Sequence, residues 1–180
     1  MTATRRDNII LIGMPASGKS TVGVILAKML GCDFVDTDLL IQRREGRRLS
    51  EILREEGLRG FLAIEEDMCR ALRVSHSVIA TGGSAVYGAQ AMRHLGRIGT
   101  IVYLEVDFDT LSGRLRDIQN RGVALREGQT LRSLYDERTR LYRQYADLTV
   151  PEAGLDLEAT VAAVRDALSG CPGSAIPPGP

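Results

Sequence analysis

The chain is short of several things, and each shortage narrows what it can be. It has no charge excess: 23 basic residues balance 23 acidic ones, for a formal net charge of +0. Without a basic surplus, nothing recruits nucleic acid or an anionic membrane, so the expected partner is a small molecule. It has no apolar stretch of about 18 residues, and hence no transmembrane helix. Arg5-Arg6 followed by Ile9–Ile12 has the outline of a signal peptide, but the apolar run is too short and passes straight into a glycine-bounded loop. Cysteine is scarce, odd in number and never in CxxC spacing: Cys32, Cys69 and Cys171 read as reduced thiols of a cytoplasmic protein. Lysine is scarcest of all among the charges, with only Lys19 and Lys28 in a chain that otherwise uses arginine.

One of those two lysines stands in a defined setting. Asn8-Ile9-Ile10-Leu11-Ile12 is an apolar run, Gly13-Met14-Pro15-Ala16-Ser17-Gly18-Lys19-Ser20-Thr21 follows it, and an apolar-periodic segment runs from Val22 to Leu30. Strand, glycine-bounded loop, then helix is the context and spacing of a phosphate-binding P-loop. Glycines let the backbone curl so that successive N–H groups converge on phosphate oxygens, and the helix start adds partial positive charge. Lys19 can reach the outer phosphates as a point charge and the Ser20 hydroxyl can ligate Mg²⁺. Gly and Ser also make ordinary turns, but not with this whole pattern in this context. A nucleoside triphosphate is the expected ligand.

At 180 residues the chain is long enough to bury a core and is expected to form one domain over 1–168. Helix 20–30 should stop at Gly31, and a strand from Cys32 should end at Asp36-Thr37-Asp38. A helix over 39–44 follows. Ser50 is the expected N-cap of a helix over 51–56 that Gly57 ends, and 61–74 is a longer amphipathic helix. Further strands are expected at 78–80, 100–104 and 148–150, and further helices at 89–95, 110–118, 130–145 and 157–168. Residues 119–129 are polar, carry Gly122 and Gly128, and read as an exposed mobile loop. The tail 169–180 holds four of the six prolines and is expected to be disordered.

Strands alternating with helices imply an α/β fold with a parallel sheet covered on both faces. Ligands then bind beyond the carboxyl ends of the strands. The unusual residues collect there: the P-loop after the first strand, Asp36 and Asp38 after the second, Thr81-Gly82-Gly83-Ser84 after the third. Asp36 and Asp38, two apart on a strand, should point to one side. One could help hold Mg²⁺ while the other accepts a proton from, or orients, an attacking hydroxyl. The alternative is that Asp-Thr-Asp merely caps the next helix.

The P-loop, Asp36-Thr37-Asp38, Glu65 after Phe61, Ala80-Thr81-Gly82-Gly83, and Arg138 with Leu141-Tyr142, in that order over roughly residues 8–150, resemble shikimate kinases. The resemblance implies a P-loop NTPase fold of nucleoside-monophosphate-kinase type: a five-stranded parallel sheet, order 2-3-1-4-5, flanked by helices. It implies transfer of the γ-phosphate of MgATP to a hydroxyl of a small acceptor. By it, Gly13, Ala16, Ser17, Gly18, Lys19, Ser20, Thr21, Arg114 and Arg121 would bind nucleotide, with Arg114 against adenine and Arg121 closing a lid over about 119–129. Ser20 and Asp36 would serve Mg²⁺. Lys19, Asp38 and Arg121 would be catalytic, Asp38 as the base. Asp38, Gly82, Gly83, Ser84, Arg138 and the helices over about 39–74 would hold the acceptor, with Arg138 on its carboxylate. A monomer is implied. His76 and His94 match no motif.

Three departures fall on the acceptor side. The family reads Phe-Arg-x-x-Glu where this chain reads Phe61-Leu62-Ala63-Ile64-Glu65, so the arginine that pairs with the acceptor carboxylate is Leu62. The family's third glycine after threonine is Ser84, and the lid's Arg-Pro is Arg121-Gly122. A charge-assisted hydrogen bond contributes about 1.5–3 kcal/mol, so its loss would weaken carboxylate binding roughly ten- to a hundredfold. Leu62 and Glu65 share one helical face. Losing the cation while keeping Glu65 favours a substrate ammonium, which makes an amino-acid alcohol such as homoserine the best-matched acceptor. Shikimate remains the alternative, with Arg59, one turn before Leu62, as a replacement cation. A P-loop GTPase would need Asn-Lys-x-Asp and Asp-x-x-Gly, and neither string occurs. A catalytically inactive nucleotide-binding paralogue is the remaining class, and intact Lys19, Asp36 and Asp38 argue against it.

Overall fold

A computed structural model describes residues 6–116, 126 and 128–170. Its centre is strand β1 (Asn8–Ile12), whose five residues are all buried. A strand buried on both faces reads as an unbroken apolar run, because alternate side chains enter cores on opposite sides. Ile10 and Ile12 join Met14, Ile79, Ile101 and Tyr103 on one side. Ile9 and Leu11 join Val78, Val102 and Leu104 on the other.

Four further strands surround it: β2 (Asp33–Asp36), β3 (Ser77–Ala80), β4 (Gly99–Glu105) and β5 (Leu148–Pro151). The sheet order is β2-β3-β1-β4-β5 and every pairing is parallel, as the family resemblance implies. Helix α1 (Lys19–Leu30) runs from the P-loop onto the second of the two cores. Phe34 lies so close to Gly23 that a Cβ there would sit 2.7 Å from its ring. Helices α2 (Thr37–Glu45) and α3 (Leu49–Ala71) form a pair beside the sheet, with Ile41, Ile52, Phe61 and Met68 as a separate small core. Helices α4 (Ala89–Ile98), α5 (Phe108–Arg116), α6 (Leu131–Tyr145) and α7 (Leu157–Ser169) complete the order. Among the described residues no helix is long and apolar enough to cross a membrane.

Several expected boundaries move for local reasons. Asp36 ends β2 and its carboxylate accepts from the Asp38 and Leu39 N–H groups, so Thr37 and Asp38 belong to α2 rather than to a strand. The two aspartates therefore meet across a helix cap, not along one face of a strand. Ser50 is not the cap of α3. That helix starts at Leu49, and Glu51 reaches back to accept from the Arg48 N–H at 2.8 Å. Gly57 (φ 66°, ψ 177°) breaks the helical geometry as expected, yet α3 resumes beyond it and ends at Ala71 rather than Val74. The acceptor-side helices thus span 37–45 and 49–71. Helix α7 includes Ser169, which the sequence reading assigned to the tail. Residues 171–180 and, apart from Arg126, Gly128 and Gln129, the segment 119–129 lie outside the described residues, and Arg121 with them.

Candidate active site

The P-loop leaves β1 with Gly13 at φ 150°, packed so that a Cβ would lie 2.8 Å from the Leu104 carbonyl oxygen. Ala16 (φ 63°) and Gly18 (φ 81°) are left-handed, the curl that turns consecutive N–H groups inward. Gly18 is the N-cap of α1 and no side chain caps that helix start. An uncapped helix N-terminus opening from a strand end is an anion site. Ser17 is buried and its N–H donates to Met14 at 3.1 Å. Lys19 is buried, and its ammonium donates to the Gly13 and Met14 carbonyls at 2.8 and 2.7 Å and to Ser17 Oγ at 3.3 Å. Burial lowers its pKa to about 8, with Asp38 the first charge pulling the other way. Thr21 is exposed.

Ser20 Oγ donates to Asp36 Oδ2 at 2.7 Å, while Asp36 Oδ1 caps α2. The capping and metal readings of Asp36 therefore fall on different oxygens of one carboxylate. A hydroxyl and a carboxylate at the phosphate loop are hard oxygen donors suited to Mg²⁺, which keeps waters and takes phosphate oxygens as well. Among the described residues no group of three or more His, Cys, Asp or Glu is disposed to hold a metal unaided.

Asp38 is half-buried on the first turn of α2. Burial raises its pKa first and the Asp36 charge second, against Lys19. It meets the loop after β3 at Gly82, where a Cβ would lie 2.8 Å from Asp38 Oδ1 and against Glu65 Oε1. A Cβ there would have to displace one of those carboxylates. The Gly82 N–H, expected to serve phosphate or acceptor, instead donates to Thr37 Oγ1 at 3.1 Å. Gly83 lies against Pro15 of the P-loop, with a Cβ only 2.8 Å from Pro15 Cδ, and its carbonyl accepts from Tyr142 Oη at 2.6 Å. Ser84 is buried beside them.

Glu65 is 1% exposed, and neither carboxylate oxygen has a well-formed hydrogen-bond partner. Burial lifts its pKa to about 7. The nearby Ser84 hydroxyl opposes that rise and Asp38 adds to it. Leu62, half-buried, packs into the small α2–α3 core and offers no charge. Arg59 is exposed and forms no ion pair among the described residues. Arg138 on α6 is among the largest fully buried side chains. Its guanidinium lies 5.3 Å over the Tyr87 ring, and Nε donates to Tyr87 Oη at 3.4 Å. A buried cation with so little protein compensation could take an anion as its partner.

Arg114 on α5 donates from Nη1 to the Ala16 carbonyl at 3.2 Å and to Glu152 Oε2 at 3.0 Å. Glu152 and Tyr87 were not legible as site residues, because neither belongs to a motif, and Thr37, inside Asp36-Thr37-Asp38, was given no role of its own. The histidines are outside the site: His94 contacts the Leu72 carbonyl at 2.9 Å, and His76 lies 3.7 Å from Cys32 Sγ. The structure brings Ser20 to Asp36, Gly82 to Asp38 and Glu65, Gly83 to the P-loop and Arg114 to Ala16, whereas Leu62 packs into the α2–α3 core.

A parallel sheet in this order and a buried P-loop lysine, with Asp38 and the buried Arg138 both close enough to act on its charge, define an ATP-dependent small-molecule kinase. The shikimate kinase family model matches residues 15–169. A shikimate kinase of Thiobacillus denitrificans is 40% identical over 154 residues, covering 83% of this chain and 84% of that protein. Among solved structures, shikimate kinase from Acinetobacter baumannii in complex with shikimate superposes with a TM-score of 0.79 at 34% identity, over 89% of this chain and 90% of that one. Shikimate kinase from Aquifex aeolicus gives 0.73 at 30% identity, over 91% and 96%. The chain belongs to the shikimate kinase family.

Proposed function

We propose that this kinase transfers the γ-phosphoryl group of ATP to the hydroxyl of a small amino-acid alcohol, homoserine being the best-matched acceptor. The observation that carries the acceptor class is Glu65: a fully buried carboxylate with two unpartnered oxygens, on the same helical face as an uncharged Leu62. A buried charge without a partner is costly, and a substrate ammonium would supply that partner. Arg138 would take the acceptor carboxylate and Asp38 its hydroxyl proton. The hydroxyl oxygen then attacks the γ-phosphorus, the bond to the β–γ bridging oxygen breaks, and ADP leaves with that electron pair. Lys19 would neutralise charge on the transferring group, with the P-loop N–H groups and the start of α1 holding the other phosphates. Mg²⁺, held by Ser20, Asp36 and phosphate oxygens, would neutralise phosphate charge when bound.

The second reading is shikimate as acceptor. It is favoured by relatives 34–40% identical over most of their length that are named shikimate kinase. A coupled ADP-release assay offering homoserine and shikimate separately decides between the two. Turnover with homoserine that Asp38→Asn abolishes supports the first reading, while efficient turnover with shikimate overturns it in favour of the second. ATP binding without turnover of any hydroxyl acceptor would indicate the inactive paralogue.

A further inference from the structure

Glu152 belongs to none of the sequence motifs, yet it is a buried carboxylate at the nucleotide end of the sheet. Its side chain is 4% exposed. Its backbone is fixed just past β5, with its N–H donating to the Glu105 carbonyl at 2.8 Å and its own carbonyl accepting from Leu155 N–H at 3.0 Å. Oε2 accepts from Arg114 Nη1 at 3.0 Å and Oε1 has no partner. The ion pair is therefore one-sided. Arg114 is a third exposed, the carboxylate is left half-satisfied, and replacing such a pair with apolar side chains is often neutral or stabilising. Fold stability is a poor reason to keep it.

What the pair does hold is the P-loop. The same Nη1 that meets Glu152 also donates to the carbonyl of Ala16, the non-glycine P-loop residue at φ 63°. The other side of that peptide, Ser17 N–H, is tied to Met14. The Ala16–Ser17 peptide plane is thus pinned at both ends, and its orientation decides where the next N–H groups, those of Gly18 and Lys19, point. Without Glu152, Arg114 is a flexible four-bond arm with one neutral acceptor.

We infer that Glu152 is a positioning residue for nucleotide: it clamps Arg114 against the Ala16 carbonyl, setting the P-loop peptide and presenting the guanidinium to the nucleotide. This rests on the reading of the P-loop and Arg114 as nucleotide contacts, and not on the identity of the acceptor.

The test is direct binding of ATP by calorimetry, together with KM for ATP and for the acceptor, in Glu152→Ala, Glu152→Gln, Arg114→Ala and the double variant Glu152→Ala/Arg114→Ala. Expected is a roughly tenfold weaker ATP affinity in Glu152→Ala, with acceptor KM unchanged and partial rescue in Glu152→Gln, whose amide oxygen still accepts from Arg114. The double variant should be no weaker than Arg114→Ala alone, because Glu152 acts through Arg114. Unchanged ATP affinity in Glu152→Ala, or additive losses in the double variant, would overturn the inference. Loss of melting temperature with both KM values intact would overturn it too, as a purely structural fastener behaves that way. Failure of the unsubstituted protein to bind ATP at all would instead sink the underlying reading of the P-loop.

Discussion

The two halves of the crevice treat charge in opposite ways. On the nucleotide side, charged groups are held by neighbours, Glu152 Oε1 excepted: Lys19 by the Gly13 and Met14 carbonyls, Asp36 by Ser20 and two N–H groups of α2, Arg114 by Ala16 and Glu152. On the acceptor side they are left wanting. Glu65 has no partner, Asp38 is pushed up by burial, and Arg138 is buried against a tyrosine ring with one long hydrogen bond. A cradle that satisfies its own charges keeps its shape before ligand arrives. A pocket that does not satisfy them depends on the ligand to do so, and each unmatched group then reads out as specificity.

The largest effect that would test this contrast comes from Lys19→Met. Removing the cation at the transferring phosphoryl group should lower kcat about a thousandfold while acceptor binding persists, measured by ADP release and acceptor titration. An equal loss of acceptor affinity would show that the halves are not separable. Next, Gly82→Ala forces a Cβ against Glu65 and within 2.8 Å of Asp38. Acceptor KM should rise by tenfold or more with ATP affinity unchanged, and a wild-type acceptor KM would mean that the carboxylates swing aside. Leu62→Arg restores a guanidinium beside Glu65. The kcat/KM ratio of shikimate to homoserine should rise about tenfold or more, given about 1.5–3 kcal/mol for a charge-assisted hydrogen bond. A fall would reverse the proposed cause of specificity.

The smallest effects concern protons. Folded Glu65 titrates near 7 against an ordinary value of 4.5, so the folded state holds the extra proton between those values. Stability should therefore decline as pH rises through that window, by about 3 kcal/mol in all. Glu65→Gln should remove the decline, melting like wild type near pH 4 and higher than wild type at pH 8. An unchanged difference between the two pH values would mean that the Ser84 hydroxyl offsets the cost of burying the ionised carboxylate. Binding of an ammonium-bearing acceptor, which needs the ionised carboxylate, should tighten over the same range in wild type and stay flat in the variant.

The nucleotide side was legible because its chemistry is local. Gly13 to Thr21 is one contiguous stretch, and the five-residue apolar run before it could only be a doubly buried strand. The missing arginine at Leu62 was legible by contrast with the family, but not the packing of that side chain into the α2–α3 core. Residue spacing was a poorer guide where a cap competes with a strand. Asp36 and Asp38 alternate correctly for one face of a strand, but the Asp36 carboxylate captures two N–H groups and turns the chain into α2. Ser50 has the composition of a cap, yet Glu51 reaching back to Arg48 starts α3 two residues earlier. Tyr87 and Glu152 gave no local sign, since a tyrosine in a glycine-rich turn and a glutamate after a strand are ordinary.

By itself, then, the sequence determined that a parallel α/β sheet carries a P-loop, because apolar periodicity and loop chemistry are properties of neighbouring residues. The tertiary structure alone decided which charges meet. Glu65 is orphaned, Gly82 is wedged between two carboxylates, and Arg114 links Glu152 to Ala16 across 38 and 98 residues of sequence. Desolvation and hydrogen-bond partnership depend on packing between segments far apart in the chain, and local spacing holds no record of that.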